Sequence, residues 1–184
     1  EGIPLLYSNT LDYLVVRKYN APKARMVMVG DLVSRYFYTL TGLKHTLVEG
    51  GGTIANVTFD LLCRAGCGKV ILTGQDLCLS GLKMYADGSW SDPTYTGQEA
   101  GLVKTVDIFG ETVYTTKPFY GLKTQFEQAI QQYPHIDILN ATEGGVPLAG
   151  AKNTTLREVL DSLPERPEID ELIREAFAEE ADAA

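Results

Sequence analysis

The sequence predicts an α/β fold, a Rossmann-like, mostly parallel sheet with flanking helices. Two pairs of elements lead to this prediction. A helical pattern over residues 53–65 precedes a short apolar run at residues 69–73, which is typical of a parallel strand covered on both faces. A second amphipathic helix, marked by residues 122–133, precedes another short strand at residues 136–139. Helix and strand alternate in this way because consecutive parallel strands need a crossover connection.

The N-terminal third is predicted to contain a helix, a strand and a short second helix. Thr10 is the predicted N-cap of the first helix, whose apolar positions are Leu11, Leu14 and Val15. Residues 20–22 end that helix before a strand at residues 26–29, and residues 30–31 then turn the chain. The pattern over residues 32–42 suits a short helix, but no clear cap precedes it.

The helix predicted over residues 53–65 has two distinct sides. One side is apolar and is predicted to face the core: Ile54, Val57, Leu61, Leu62 and Ala65. The other side carries polar residues spaced four apart: Asn56, Asp60 and Arg64.

The second half of the chain adds a long loop, a hairpin and C-terminal helices. About twenty polar and glycine-rich residues follow Leu79, and a connection of that length is often a functional loop or lid. Residues 102–108 and 112–116 flank Phe-Gly-Glu and predict a hairpin. Thr155 and Glu158 have capping-box spacing, and a last helix is predicted from its apolar positions: Ile169, Leu172, Ile173 and Phe177, after Pro167. We expect a Rossmann-like domain over residues 1–150 and a helical extension over residues 151–184.

Composition excludes several classes of protein. The net charge of −8 and pI near 4.8 argue against general electrostatic binding of nucleic acid. No apolar run approaches the roughly 20 residues that a membrane span needs. Three cysteines, Cys63, Cys67 and Cys78, form no even-numbered framework, so we expect buried free thiols in a cytoplasmic protein.

Three polar segments are predicted to meet at one edge of the sheet, beyond the carboxyl ends of its strands. Residues 49–53 are a glycine run at a helix start, where Gly51, Gly52 and Thr53 favour an anion such as phosphate. Residues 74–76 end in Gln75 and Asp76, whose polar groups can bind a sugar or a base. Residues 140–145 offer an amide, a hydroxyl and a carboxylate for a polyol or for acid-base chemistry: Asn140, Thr142 and Glu143. Each segment is equally compatible with a turn that caps itself.

The sequence identifies no catalytic group and no metal ligands. Only His45 and His135 are present, and neither has the spacing of a triad or of a metal site with the cysteines. The sequence pattern therefore leaves the catalytic residue unknown, and it firmly implies no cofactor.

Three motifs together resemble the domain shared by motility-associated factor glycosyltransferases and by proteins described as pterin diphosphokinase-like. They are Gly-Gly-Thr-Ile-Ala-Asn-Val at residues 51–57, Leu-Thr-Gly-Gln-Asp-Leu at 72–77 and Asn-Ala-Thr-Glu-Gly-Gly at 140–145. The resemblance spans about residues 5–150. It implies a Rossmann-like sheet similar to that of bacterial sialyltransferases.

The resemblance also implies roles for individual residues. Gly52 and Thr53, with Asn56 nearby, correspond to a helix start that touches the nucleotide, and Tyr85 to a tyrosine that binds the donor phosphate. Cys78 stands where sialyltransferases have a second tyrosine. No histidine occurs at residues 116–120, where the catalytic one is expected, and the Gly-Pro-Ser nucleotide loop that the family carries upstream is not found in this sequence. We therefore expect that Glu1 is not the natural start.

The function implied is transfer of a nonulosonic, sialic-acid-like sugar from a CMP-activated donor to Ser or Thr of flagellin. The partners would be a nucleotide-activated sugar and flagellin as the acceptor. Two alternatives stay open. One is an ATP-dependent diphosphokinase for a hydroxymethylpterin, which would use Mg²⁺. The other is a binding or scaffold module that has lost its catalytic base.

Overall fold

The computed structural model describes residues 3–45, 47–83, 95–98, 100–164, 171, 172 and 175. By internal packing the chain divides into two compact units, residues 1–48 with 163–184, and residues 49–162. The predicted boundary near residue 150 stays a prediction. Tyr85 and most of the predicted last helix, including Pro167, lie outside the described residues.

The first unit contains two successive strand-helix-strand segments. In each, a helix connects two short parallel strands, with Leu5 opposite Lys23 in one pair and Val27 opposite Leu47 in the other. The elements are β1 (Leu5–Tyr7), α1 (Tyr13–Lys18), β2 (Lys23–Arg25), β3 (Val27–Met28), α2 (Leu32–Thr41) and β4 (Leu47–Val48). The predicted strand at residues 26–29 is therefore shorter than expected.

The caps of the first two helices differ from the prediction. Asp12, not Thr10, caps α1, because its carboxylate accepts a hydrogen bond from the backbone N–H of Leu14 at 2.7 Å. The Thr10 hydroxyl is instead hydrogen-bonded to that of Ser8 at 2.5 Å. The α2 helix has the cap that the sequence pattern did not reveal, since Asp31 accepts from the N–H of Ser34 at 2.9 Å.

The second unit contains a three-stranded parallel sheet, a hairpin and three helices. Its elements are α3 (Ile54–Arg64), β5 (Lys69–Leu72), β6 (Leu102–Val106), β7 (Thr112–Thr116), α4 (Lys117–Gln132), β8 (Asp137–Asn140), β9 (Lys152–Asn153) and α5 (Leu156–Ser162). The sheet order is β5-β8-β9, and β6 pairs with β7 antiparallel. The α/β class and the hairpin are confirmed. No helix among the described residues is long and apolar enough to cross a membrane.

The core of the second unit lies mainly between the sheet and the helices α3 and α4. The rings of Phe59 and Phe126 meet edge to face, with their centroids 6.0 Å apart. They belong to a buried cluster that includes residues from both helices and from the strands β5 and β8: Cys63, Val70, Leu72, Ile130 and Ile138. A smaller cluster joins Leu139 and Ala141 to Val159 of α5.

The cysteines are free thiols, as expected from the sequence. Cys63 and Cys78 are buried, and Cys67 is half-buried. Burial raises the pKa of both buried thiols to about 11, so they stay protonated at neutral pH. They therefore pack as small apolar side chains.

A buried carboxylate connects the start of the second unit to both of its long helices. Asp60 accepts hydrogen bonds from the backbone N–H of Glu49 at 2.8 Å, from Nε of Arg64 at 2.6 Å and from the hydroxyl of Tyr133 at 2.6 Å. Burial by itself would raise the pKa of Asp60, but these hydrogen bonds and the charge of Arg64 lower it overall. Tyr133 is the C-cap residue of α4, so one side chain anchors the chain before α3, α3 itself and the end of α4.

Both sides of α3 contribute buried residues. Asn56 and Asp60 on the polar side are only 8% and 4% exposed, and Val57 on the apolar side is 8% exposed, whereas Ile54 is 75% exposed. The spacing of four was correctly recognised, but the polar side of the helix turns inward because Tyr133 and the chain at Glu49 satisfy its carboxylate there.

We predict that Asp60→Asn lowers the free energy of unfolding by about 2 kcal/mol, because the amide keeps the size of the side chain but loses the charge bound by Arg64. Urea unfolding checks this. The control is Asp161→Asn, the same change on the exposed side of α5, which should alter stability by less than about 0.5 kcal/mol. Equal effects of the two changes would contradict the role of Asp60.

Stability should also depend on pH at both ends of the scale. The pKa of Asp60 is lowered from 3.8, so its contribution is complete above that pH and is lost as the pH falls through the lower folded value. Burial, and next the hydrogen bond to Asp60, raises the pKa of Tyr133 from 10.0 to about 12, so its contribution is complete below pH 10 and is lost as the pH rises towards 12. Urea midpoints across this range should fall less steeply in Asp60→Asn at the acid end. Parallel acid limbs in the two proteins would refute this explanation.

Candidate functional site

Two of the three polar segments are joined at the carboxyl ends of β5 and β8. Leu72 lies opposite Asn140 in the parallel register, so both strands end at the same level. The ladder continues one step further, because the N–H of Ala141 donates to the carbonyl of Leu72 at 2.8 Å. Beyond it, the N–H of Gln75 donates to the Thr142 hydroxyl at 3.1 Å. The predicted meeting of these two segments is therefore present in the structure.

The same two loops touch again at Gly145. The N–H of Val146 donates to the carbonyl of Asp76 at 2.9 Å. A Cβ atom on Gly145 would lie 2.4 Å from the Cα of Asp76, and the backbone φ of Gly145 is 73°. Only glycine suits both the contact and the backbone angle, so Gly145 is required to hold the loops together.

The side chains predicted to bind substrate in the last segment also bind neighbouring parts of the fold. Asn140 is 1% exposed, and its Oδ1 accepts from the N–H of Thr142 at 3.2 Å. Glu143 has a positive φ of 61°, and its carboxylate accepts from the N–H of Leu156 at the start of α5, at 3.3 Å. The Thr142 hydroxyl accepts the hydrogen bond from the N–H of Gln75. These three side chains shape the edge of the sheet.

Gln75 and Asp76 follow β5, which lies at one edge of the three-stranded sheet. The carboxylate of Asp76 accepts a hydrogen bond from the hydroxyl of Ser80 at 2.8 Å. Gln75 lines a groove of about 200 Å³ between α3 and β5, together with Ala55, Thr58, Phe59, Leu62 and residues 70–73. Ala55 belongs to the first turn of α3, so this groove brings the helix start and the second polar segment to one surface.

The glycine run packs tightly against two helices. A Cβ atom on Gly51 would lie 2.3 Å from the Cβ of Asn56, and one on Gly52 would lie 2.5 Å from Cδ2 of Leu122 in α4. The N–H of Gly52 donates to Oε1 of Gln125 at 2.9 Å. Gly51 is therefore needed for packing, and the N–H of Gly52 already has a partner.

The start of α3 nevertheless presents polar groups that the fold does not use. Thr53 is the N-cap. Its hydroxyl donates to Oδ1 of Asn56 at 2.8 Å and accepts from the N–H of Asn56 at 3.4 Å. Asn56 is 92% buried, since its exposure is 8%, yet its Nδ2 donates to no described residue. The N–H groups of residues 53–55 likewise have no acceptor among the described parts of the chain. A buried amide without an acceptor is costly, and either a water molecule or a ligand oxygen can accept its hydrogen bond.

The start of α4 lies towards the same end of the unit. Leu122 and Gln125 contact Gly52, while Tyr133 contacts Asp60 further along α3, so the two helices run in the same direction. Residues 116–120, where the resemblance places a catalytic histidine, form the N-cap and first turn of α4. Sequence reasoning missed Gln125, because an exposed glutamine on an amphipathic helix carries no distinguishing signal.

Residues 1–81 match a family described as 6-hydroxymethylpterin diphosphokinase MptE-like. The match includes the glycine run, α3, β5, Gln75 and Asp76, and it stops before the segment at residues 140–145. It supports the pterin diphosphokinase-like part of the predicted resemblance. Neither the search of curated proteins nor that of solved structures found a match.

Two further features predicted for the site are a donor-binding tyrosine and a long loop. Tyr85 lies outside the described residues, as does most of the loop after Lys83. Within the described parts of the chain, no three His, Cys, Asp or Glu side chains are grouped so that they could hold a metal ion. The geometry that remains is a helix start with unused donors beside a rigid pair of loops, and such a surface suits an anion.

We predict that Gly145→Ala lowers the free energy of unfolding by about 3 kcal/mol, because the added methyl group collides with the backbone of Asp76 and the residue strains at positive φ. The neighbouring Gly144→Ala is the matched control, since its Cβ atom would meet nothing within 4 Å. Thermal or urea unfolding of the two variants checks the difference. Equal stabilities would show that the loops do not depend on this contact.

Proposed function

We propose that residues 49–162 bind the phosphate of a nucleotide-activated substrate at the start of α3, as the donor-binding part of a transferase. The observation that carries this proposal is the amide of Asn56, which is buried beside the N-cap and has no acceptor for Nδ2 among the described residues. A phosphate oxygen would accept from this group and from the free N–H groups of the first turn. The positive end of the helix dipole favours the same charge.

The rigid surroundings of this helix start support the proposal. Gly52 is bound by Gln125, and Gly51 packs directly on Asn56, so the turn is fixed before any ligand arrives. The loops after β5 and β8 are joined to each other by hydrogen bonds at both Thr142 and Asp76. Fixed donors of this kind bind developing negative charge without a reorganisation cost.

The donor that we propose is a CMP-activated nonulosonic sugar, with Ser or Thr of flagellin as the acceptor. This finer assignment rests on the three sequence motifs that resemble motility-associated factor glycosyltransferases. In such a transfer the oxygen of the acceptor hydroxyl forms the new bond to the anomeric carbon while the bond from that carbon to the phosphate oxygen breaks. CMP leaves with both bonding electrons, and the hydroxyl proton is released to solvent. Thr53 and Asn56 would then stabilise the departing phosphate, and the groove lined by Gln75 would lie next to it.

A second candidate is an ATP-dependent diphosphokinase acting on a hydroxymethylpterin. This candidate rests on the family match over residues 1–81, because the matched family is described as 6-hydroxymethylpterin diphosphokinase MptE-like. The same helix start would hold a phosphate of ATP. Asp76 and Glu143 are the described carboxylates at this edge that could approach a magnesium ion, although each already accepts a hydrogen bond.

We predict that CMP binds to this chain and that Asn56→Ala weakens the binding about tenfold or more, since a hydrogen bond to a charged group contributes about 1.5–3 kcal/mol. Isothermal titration calorimetry with CMP gives the dissociation constants. Asn20→Ala, at an exposed asparagine of the first unit, is the control and should leave the affinity unchanged. Circular dichroism must show that every variant is folded.

The same titration separates the two candidates. Absence of CMP binding by the folded wild-type chain would overturn the donor assignment. Binding of ATP that requires Mg²⁺, without binding of CMP, would establish the diphosphokinase candidate instead. Binding of CMP that is unaffected by Asn56→Ala would place the nucleotide elsewhere on the chain.

A further inference from the structure

Helix α2 of the first unit exposes an apolar face that its own unit does not cover in the described parts of the chain. Six large side chains lie on this side and just after the helix, each between 58% and 70% exposed: Leu32, Val33, Tyr36, Phe37, Leu40 and Leu43. The five within the helix are spaced so that they form one continuous stripe. We call these six residues the α2 face.

The opposite side of α2 is polar and is the side that packs on the unit. Ser34 is only 6% exposed, and its hydroxyl donates to Asp31 at 2.5 Å. Arg35 donates to the carbonyl of Val29 at 2.9 Å, and the hydroxyl of Tyr38 accepts from Arg25 at 2.6 Å. The helix is thus turned with its polar side inward, the reverse of an ordinary surface helix. Exposed apolar patches of this kind mark interaction surfaces.

The size of the α2 face fits a dimer. Six side chains that each lose about 100 Å² would bury about 600 Å² per copy, or about 1,200 Å² in total, at the lower end of specific interfaces. A face that meets its own copy across a two-fold axis needs no other partner. Tyr36 and Phe37, which contact each other edge to face, lie at the middle of the helix. A two-fold axis through the centre of the α2 face would therefore pass between them.

The dipoles of the two helices select one orientation. Asp31 caps the start of α2, but its carboxylate is bound to Ser34 on the inward side, so it is not part of the α2 face. In an antiparallel pair the two helix dipoles oppose each other, which is favourable. A parallel pair would place the like ends of the two dipoles together.

We propose that the chain forms a homodimer through the α2 faces, packed antiparallel across a two-fold axis between Tyr36 and Phe37. In this arrangement Val33 of one copy lies opposite Leu40 of the other. The dimer forms through the first unit of each copy, whereas the candidate site lies on the second unit. The dimer proposal therefore does not depend on the proposed function.

Sedimentation equilibrium of the whole chain tests the dimer. The wild type should be dimeric at micromolar concentration, and Phe37→Asp should weaken dimerisation at least a hundredfold, because a charge would be buried at the axis. Phe109→Asp is the matched control, since Phe109 is 70% exposed at the hairpin turn of the other unit, and it should leave the dimer intact. A monomeric wild type, or equal dissociation by both variants, would overturn the proposal. The first result would mean that another protein or another part of the chain covers the face.

Disulfide trapping tests the orientation. In a Cys67→Ser background, a mixture of Val33→Cys and Leu40→Cys chains should form the mixed disulfide on oxidation. Neither variant alone should link to itself, because the antiparallel arrangement separates like positions. Self-linking of Val33→Cys and of Leu40→Cys, without preference for the mixed product, would indicate parallel packing and overturn the antiparallel dimer.

Discussion

The second unit depends on the buried carboxylate of Asp60. One of its oxygens accepts from the N–H of Glu49 and from Arg64, and the other accepts from Tyr133 at the end of α4. A buried charge is tolerated only when it is fully hydrogen-bonded, so the three donors and the carboxylate require one another. Because these donors come from the chain before α3, from α3 and from α4, their common acceptor fixes where α3 begins relative to α4. The position of the glycine run follows from that arrangement.

The candidate site combines glycines that serve packing with a helix start that has donors to spare. Gly51 and Gly145 are each placed where a methyl group would collide with another part of the chain, so their role in the fold is independent of any ligand. Asn140, Thr142 and Glu143 likewise hold neighbouring backbone groups. Asn56 differs from them, because its buried amide has a donor that no described residue accepts. This contrast separates the residues whose polar groups are satisfied within the fold from Asn56, on which the proposed site rests.

Local features were predictable where the interactions that decide them are close in sequence. The capping box of Thr155 and Glu158 is present as predicted, with each residue accepting the backbone N–H of the other. The hairpin at Phe109 and Gly110 and the Thr53 cap of α3 are local in the same sense. The cap of α1 was misplaced because Thr10 and Asp12 are both suitable residues two positions apart, and the carboxylate of Asp12 captured the N–H of Leu14. Short strands were less predictable at their ends, as Val27–Met28 shows.

By itself, the sequence determined the alternation of helix and strand, the α/β class and the segments that follow β5 and β8, because period and turn chemistry act between residues a few positions apart. The apolar pattern of α4 correctly indicated its buried side, which includes Phe126 and Ile130, but only the tertiary structure decided which sides of α2 and α3 are buried. Asp60 lies inside because Tyr133, 73 positions away, supplies a hydrogen bond, and a partner so distant leaves no periodic signal in the sequence. The apolar side of α2 lies outside because Ser34 and Arg35 are satisfied within the unit. The sequence of the glycine run predicted an anion site, but it could not show that the N–H of Gly52 is already bound by Gln125, 73 positions away.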